Sequence, residues 1–214
     1  MKRVIIIGAG GHARVIVDCL QQMRGMRIYG ILERDQTQWG KTVWGVPIIG
    51  GDELLPGMKK QKIGYFVVGV GGIGDNRPRQ KLFEIGQANG LQPLIVKHPS
   101  SVCSKWARIG SGCQLLTNSV INPGAELGVN VIVNTGAIVE HECIVGNHVH
   151  ISPGAVLCGA VRIGDGAHVG AGAVIRQHVV VGAGAVVGAG AVVIKDVGAN
   201  TVVVGTPAQF LRAK

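Results

Sequence analysis

Large side chains are scarce in this chain: aromatic residues fill 4% of its 214 positions and charged residues 15%. So few aromatics, with no run of basic residues, leave nothing on which nucleic acid bases would stack, and nucleic acid is not expected as a partner. The low charge, set against a 47% hydrophobic content, is the reverse of a disordered composition. No unbroken apolar run approaches the ~20 residues of a membrane-spanning helix. The opening run Val4-Ile5-Ile6-Ile7 stops after four residues at Gly8-Ala9-Gly10-Gly11, too short for the core of a secretory signal. The five cysteines, Cys19, Cys103, Cys113, Cys143 and Cys158, are odd in number and lack CxxC spacing. They are expected to be reduced thiols of a cytoplasmic protein.

What the chain has instead is glycine, 35 residues of it, more than twice the usual ~7%. Glycine does not recur at every third position, which excludes collagen. Charge is uneven as well. Residues 1–97 carry 14 Lys and Arg against 7 Asp and Glu, and residues 98–214 carry 7 against 5, within an overall net charge of +9. A basic first half suits an anionic ligand such as a nucleotide or its diphosphate.

The second half repeats. Every sixth residue from Ile109 to Val193 is aliphatic, fifteen positions without exception, and two residues before each stands a small or β-branched one, from Ala107 to Ala191. Glycine often follows the aliphatic residue, as at Gly110, Gly128, Gly146, Gly164, Gly170, Gly182 and Gly188. A six-residue period with a short strand per repeat predicts a parallel β-helix. The aliphatic residue points inward, the small residue lets the wall turn, and glycine is expected to supply positive φ at the corners. Three hexads make a coil of 18 residues, so fifteen make five coils, a prism about 20–25 Å long at a spacing of ~4.8 Å. So narrow a core has no room for aromatics. The repeat resembles the left-handed β-helix of the hexapeptide acyltransferases, and the hand is implied by that resemblance. It also implies a homotrimer with acetyl-CoA in the groove between neighbouring prisms. Val204-Gly205-Thr206-Pro207-Ala208 looks like the closing motif of these enzymes.

Residues 1–97 read as a small α/β domain and 98–214 as the β-helix. Strand signals at 4–7, 28–32, 46–49 and 65–70 alternate with helical stretches at 13–23 and 79–89. This is a doubly wound pattern with its ligand at the carboxyl ends of the strands. Gly8-x-Gly10 with Ala13 at the third glycine position is an incomplete dinucleotide fingerprint, and fewer than 100 residues leave no room for two mononucleotide halves. A half-Rossmann unit binding one nucleotide fits better. Gly10 and Gly11 would let backbone approach phosphate at the helix N-terminus, with Glu33 or Asp35 on ribose or base. The glycines could equally form only a tight turn.

Six of the seven histidines lie beyond residue 97. His141 is two places after inward Val139, near a corner, and Glu142 follows it. Transfer of an acyl group to an amine needs a base, because an ammonium cannot attack a thioester. A histidine, with an ordinary pKa of ~6.5, serves at neutral pH, and a carboxylate on its other nitrogen fixes the tautomer. Neighbours on a strand point oppositely, so such a pair requires corner geometry or a subunit interface. His150 and His168, 18 residues apart, should stack one above the other on one face. No cysteine or carboxylate shares their column, so no metal is expected there.

Gly-x-Gly-Gly-His near the start, then Val-Glu-His-Glu-Cys at 139–143 and His-Ile-Ser-Pro-Gly-Ala at 150–155, make the whole chain similar to the nucleotide-sugar N-acetyltransferases of bacillosamine and perosamine pathways. The sialic acid O-acetyltransferases are close relatives. The resemblance implies His141 as catalytic base oriented by Glu142, and His150 near the acetyl-CoA thioester, with Gly159 and Ala171 making room for the pantetheine arm. It further implies that Gly8, Gly10, Gly11, His12, Glu33, Asp35, Gly71 and Asn76 face a UDP- or GDP-linked amino sugar. A backbone N–H of the coil, or His150, would hold the oxyanion. The rival expectations are O-acetylation of a sialic acid or other sugar, and a non-catalytic β-helix scaffold, which would leave the His141–Glu142 pair without a role.

Overall fold

The computed structural model describes all residues, Met1–Lys214, and its contacts divide them into two units. One comprises 1–71 and 78–99, the other 72–77 and 100–214. The second unit thus includes a six-residue piece, 72–77, from within the chain of the first.

The first unit is a twisted sheet in the order β3-β4-β2-β1-β5-β6. Its strands are β1 (Lys2–Ile7), β2 (Met26–Leu32), β3 (Thr42–Val43), β4 (Val46–Gly50), β5 (Tyr65–Val68) and β6 (Gln92–Pro93), accompanied by helices α1 (Gly11–Gln22) and α2 (Arg77–Ala88). All neighbouring pairs are parallel except β3 with β4. Strand β1 carries a buried aliphatic run, Val4 to Ile7, as a central parallel strand requires. Helix α1 buries Ala13, Ile16, Val17, Cys19 and Leu20, an apolar stripe at helical spacing. From β1 the chain moves to one side through β2 and β4, and β5 lies on the other side. Their carboxyl ends are in register, Ile7 opposite Val68, so the two glycine turns that follow lie side by side at a topological switch point. Here Gly69 N–H bonds the Ile7 carbonyl at 2.7 Å.

The second unit is a three-faced parallel coil. Sixteen two-residue strands, from Val102–Cys103 to Val192–Val193, follow one another every six residues. One face stacks the strands beginning at Gln114, Ile132, His150, His168 and Val186; the next those at Val102, Val120, Ile138, Val156, Val174 and Val192; the third those at Arg108, Glu126, Ile144, Arg162 and Val180. The partner of each residue is its 18th neighbour, as in His150 with His168. The inward aliphatics and the small residues two places before them form one continuous core. The coil ends where Thr201–Val204 is met by an antiparallel return strand, Gln209–Ala213.

Two different positions do the work that the sequence reading gave to one glycine. Left-handed backbone occurs three residues after each inward aliphatic, at 112, 118, 124 and so on to 190, where Gly112, Gly124 and Gly136 alternate with Asn118, Asn130 and Glu142. The glycines directly after the aliphatics are not left-handed; they are needed for close approach. A Cβ on Gly164 would lie 2.5 Å from the Ala183 nitrogen, and one on Gly170 2.5 Å from the Ala189 nitrogen, backbone of the next coil in each case.

The two kinds of glycine therefore respond differently to substitution. Gly164→Ala should lower stability by about 1–3 kcal/mol, since backbone cannot yield as a side chain does. Gly172→Asn, at φ +66° with nothing within 4 Å of its Cβ, should change it by less than about 1 kcal/mol, because asparagine tolerates this region. Urea unfolding followed by circular dichroism measures both, and equal losses would contradict the distinction.

Candidate active site

In the first unit, α1 begins at Gly11 with Gly10 as its N-cap, without a side-chain cap and with no acid in the first turn. Its positive end is left for an anion. Neither Gly10 nor Gly11 has a heavy atom within 4 Å of where a Cβ would stand, so space lies open over this turn. Gly8 is a different case: φ is +100°, and a Cβ would meet Val70 Cγ2 at 2.5 Å. Glu33 accepts from Ala9 N–H at 2.8 Å and from Asp35 N–H at 3.2 Å, bracing the glycine turn. Asp35 accepts from Thr37 N–H at 2.9 Å and Thr37 Oγ1 at 2.7 Å; bonding to Thr37 holds its pKa below the ordinary value. His12 and Gly71 come together, a Cβ on the latter falling 3.7 Å from the imidazole. Sequence reasoning missed Arg79. Its side chain is buried and donates to the carbonyls of Val70 at 2.8 Å and Val68 at 3.3 Å, fastening the second glycine turn from α2. Nothing in Arg77-Pro78-Arg79 distinguishes it from a solvated helix cation.

On the coil, His141 and Glu142 occupy the corner between Ile138–Val139 and Ile144–Val145. Glu142 has φ +59°. That left-handed residue breaks the alternation of a strand, so consecutive side chains meet: His141 Nδ1 lies 3.3 Å from Glu142 Oε2, both side chains being largely exposed. In the next coil Gly159 makes the room for the ring, since a Cβ there would sit 2.6 Å from His141 Cε1 and Nε2. Gly159 is therefore gathered beside His141.

His150 and His168 do stack on one face, with ring centroids 5.1 Å apart in an edge-on arrangement. Both are buried beneath the 72–77 segment. His150 Nδ1–H donates to the Gly72 carbonyl at 2.5 Å and its Nε2 meets Asn134 Nδ2 at 3.1 Å. Asn76, expected to face the sugar nucleotide, is 2% exposed, and its Nδ2 donates to the carbonyls of Gly166 at 3.2 Å and Ala167 at 3.0 Å. A cavity of about 490 Å³ opens alongside, lined in part by Ile73, His150, His168, Ala171 and Val187. Ala171 thus shares a wall with His150. The strands succeed one another around three faces, so the corner holding His141 is the vertex opposite the face of His150. No group of His, Cys, Asp and Glu side chains is assembled as a metal site.

Burial pushes the His168 pKa below 6.5, the Lys214 ammonium adds to the effect and the Gly72 carbonyl opposes it. On acidification the unfolded chain takes up this proton first. The stability that neutral His168 contributes is thus complete above about pH 6.5 and is lost as pH falls through the lower folded-state value. Urea midpoints measured from pH 8 to pH 5 should fall, and fall less in His168→Gln; identical profiles would contradict this.

Comparison with known proteins gives the arrangement its setting. Residues 3–85 match the family described as PglD N-terminal domain, and residues 160–195 match the bacterial transferase hexapeptide family of six repeats. A mutant of perosamine N-acetyltransferase from Caulobacter crescentus, solved with CoA and GDP-perosamine, superimposes with TM-score 0.92 at 36% identity over 99% of this chain and 98% of that one. The acetyltransferase domain of PglB from Neisseria gonorrhoeae, solved with acetyl coenzyme A, does so with TM-score 0.88 at 37% identity over 98% and 99%. A GDP-perosamine N-acetyltransferase of Escherichia coli O157:H7 is 34% identical over 112 residues, 50% of this chain, and the match spans about half (48%) of that protein's length. The coil is thus of the left-handed kind. The chain belongs to the nucleotide-sugar N-acetyltransferases, within the hexapeptide-repeat acyltransferase family.

Proposed function

We propose that the chain transfers the acetyl group of acetyl-CoA to the amino group of a nucleotide-linked 4-amino-6-deoxy sugar, GDP- or UDP-linked. The observation that carries this reading is the His141–Glu142 pair beside Gly159. With Nδ1–H directed at Glu142 Oε2, the lone pair of His141 sits on Nε2, over the glycine. There it takes the proton of the attacking amine. The amine nitrogen bonds the thioester carbonyl carbon, and a backbone N–H of the coil holds the oxyanion. As the tetrahedral species collapses, the C–S bond breaks and the thiolate leaves with the proton from His141. No acyl-enzyme forms. Burial pushes the Cys143 thiol up to about 11, which suits a packing residue and not a nucleophile. No metal takes part in these steps.

The open glycine turn at 8–11, with His12 and Gly71 beside it, receives the diphosphate and sugar. Glu33 and Asp35 act through the loop backbone that they brace. The cavity beside His150 and Ala171 takes the pantetheine arm. His141 stands at the vertex opposite that cavity's face, so a complete site requires a second prism, whose vertex meets the face of the first. Cyclic closure of this one contact yields a homotrimer. None of the helices is long and apolar enough to cross a membrane, and a cytoplasmic location matches the reduced cysteines.

His141→Ala should lower kcat by a factor of about 10² or more, assayed with acetyl-CoA and parallel acceptors: GDP- and UDP-4-amino sugars and sialic acid. Preference for a hydroxyl acceptor would overturn N-acetylation, and near-normal turnover would overturn the base. Glu142→Gly separates the two demands on that corner. Relief of left-handed strain should raise stability by up to about 1 kcal/mol, while kcat falls because the base loses its orienting carboxylate. Mass photometry of the intact protein should report three chains; a monomer with full activity would remove the shared site.

A further inference from the structure

His150 resembles a residue poised over a thioester, yet its ring is fully engaged. Thr135 N–H donates to Asn134 Oδ1 at 2.8 Å, which fixes the orientation of the Asn134 amide. The Asn134 group facing His150 Nε2 at 3.1 Å is therefore the NH2, a donor, and Nε2 must accept. The proton lies on Nδ1, where it bonds the Gly72 carbonyl. The other tautomer would oppose a ring lone pair to that carbonyl. A doubly protonated ring would oppose N–H to NH2. Only one form fits, and it has no hydrogen left for a substrate oxygen.

What this ring holds is the 72–77 segment. Gly72 is grasped by His150, and Asn76, four residues on, by the carbonyls of Gly166 and Ala167. Asp75 closes the turn between them by accepting from Arg77 Nε at 2.9 Å and Nη2 at 2.8 Å. Between the two anchors Ile73 stands 92% exposed, an aliphatic side chain on the rim of the 490 Å³ cavity. Pro153, Ala171, Val186 and Val187 extend the apolar wall, beside the polar Asn134, Ser152 and the two histidines. An apolar rim is thus held by a polar hinge, and the hinge rests on one more side chain: the His168 ring is edge-on to His150, with Nε2 3.4 Å from Ser152 Oγ.

We propose that His168 is a positioning residue for acetyl transfer: its neutral ring backs the His150 ring in the place where Gly72 and Asn134 hold it in the Nδ1–H form, and thereby keeps Gly72 fastened and Ile73 set over the cavity that receives the acyl donor. The sequence-based roles for the pair, a thioester contact and a ladder, become a lock and its backing. The charged or titratable groups acting on His168 are His150 across the ring contact and Lys214 through space; no carboxylate compensates a second positive charge there. Protonation of His168 would set an imidazolium against a ring that must stay neutral and would draw the Gly72 carbonyl, which favours the charged His168 ring, away from His150, and the rim would loosen. The use of the cavity by acetyl-CoA rests on the function proposed above; the tautomer lock does not.

The test uses the full chain with 15N-labelled histidine. In the wild type at pH 7.5, His150 should show a protonated Nδ1 and a bare Nε2. His168→Ala should give averaged nitrogen shifts at His150 and raise KM for acetyl-CoA about tenfold while kcat changes less than threefold. His168→Phe, which keeps a ring edge and cannot titrate, should restore both the shifts and KM. It should also abolish the rise of KM expected of the wild type as pH falls through the lowered His168 pKa. A protonated Nε2 on His150 in the wild type would overturn the proposal, as would His168→Ala with unchanged shifts and KM. If no acetyl transfer is seen with any acceptor, the proposed function fails. The nitrogen shifts in the two variants then still decide whether His168 backs His150 in that form.

Discussion

Successive coils of the second unit lie so close that there is no space for a Cβ at the residue following the inward aliphatic on many turns. The rest of that unit is built around stacking this tight. Each strand bonds its 18th neighbour whether glycine or a side chain follows it, as Ser152 follows Ile151, but where backbone is brought against backbone only glycine fits. A core only one aliphatic wide explains the lack of aromatics, and glycine between the coils explains much of the excess that accompanies it. Functional residues are thereby sent to the corners and the outer faces, the only positions where size and polarity are free.

Much of this was legible in the sequence because periodicity is read by counting. The unbroken row from Ile109 to Val193 identifies a coil, and its phase says which residues point inward. The same row assigns His150 and His168 to one column, as found. The reading failed where two backbone demands produce one residue type. Glycine after the aliphatic and glycine three places later look alike in composition, but one answers to a neighbouring coil and the other to its own φ. The left-handed register is filled by Asn118 and Asn130 but also by Glu142, His148, Ala160 and His178, residue types too varied to mark it in the sequence.

Long-range polar anchors were the least legible part. The segment 72–77 belongs with a coil that begins more than twenty residues later in the chain, and no local pattern signals this. Asn76 reads as a polar loop residue, and only its burial reveals an amide spent on coil carbonyls. Arg79 is disguised in the same way. In both cases a polar side chain bonds backbone carbonyls in another segment of the chain, Ala167 among them although it also accepts from His150 N–H, a pairing that depends on where the chain returns and not on what is adjacent. His150 extends the pattern: expected beside the thioester, it also bonds the Gly72 carbonyl, 78 residues away in the chain.

The left-handed corner residue has a wider consequence. A flat strand sends neighbours in sequence to opposite sides, and most enzymes assemble an acid–base pair from distant parts of the chain. At this corner, one backbone dihedral converts adjacency along the chain into adjacency in space, so His141 and Glu142 arrive as a preassembled couple within a single hexad. The hexad is then a cassette. The repeat offers the same fourteen-fold geometry at 112 through 190, with two other histidines, His148 and His178, already seated in the left-handed slot. A dyad could be moved along such a coil in steps of six residues wherever the next coil carries a glycine, as Gly159 does beside His141, a modularity that a globular core does not offer.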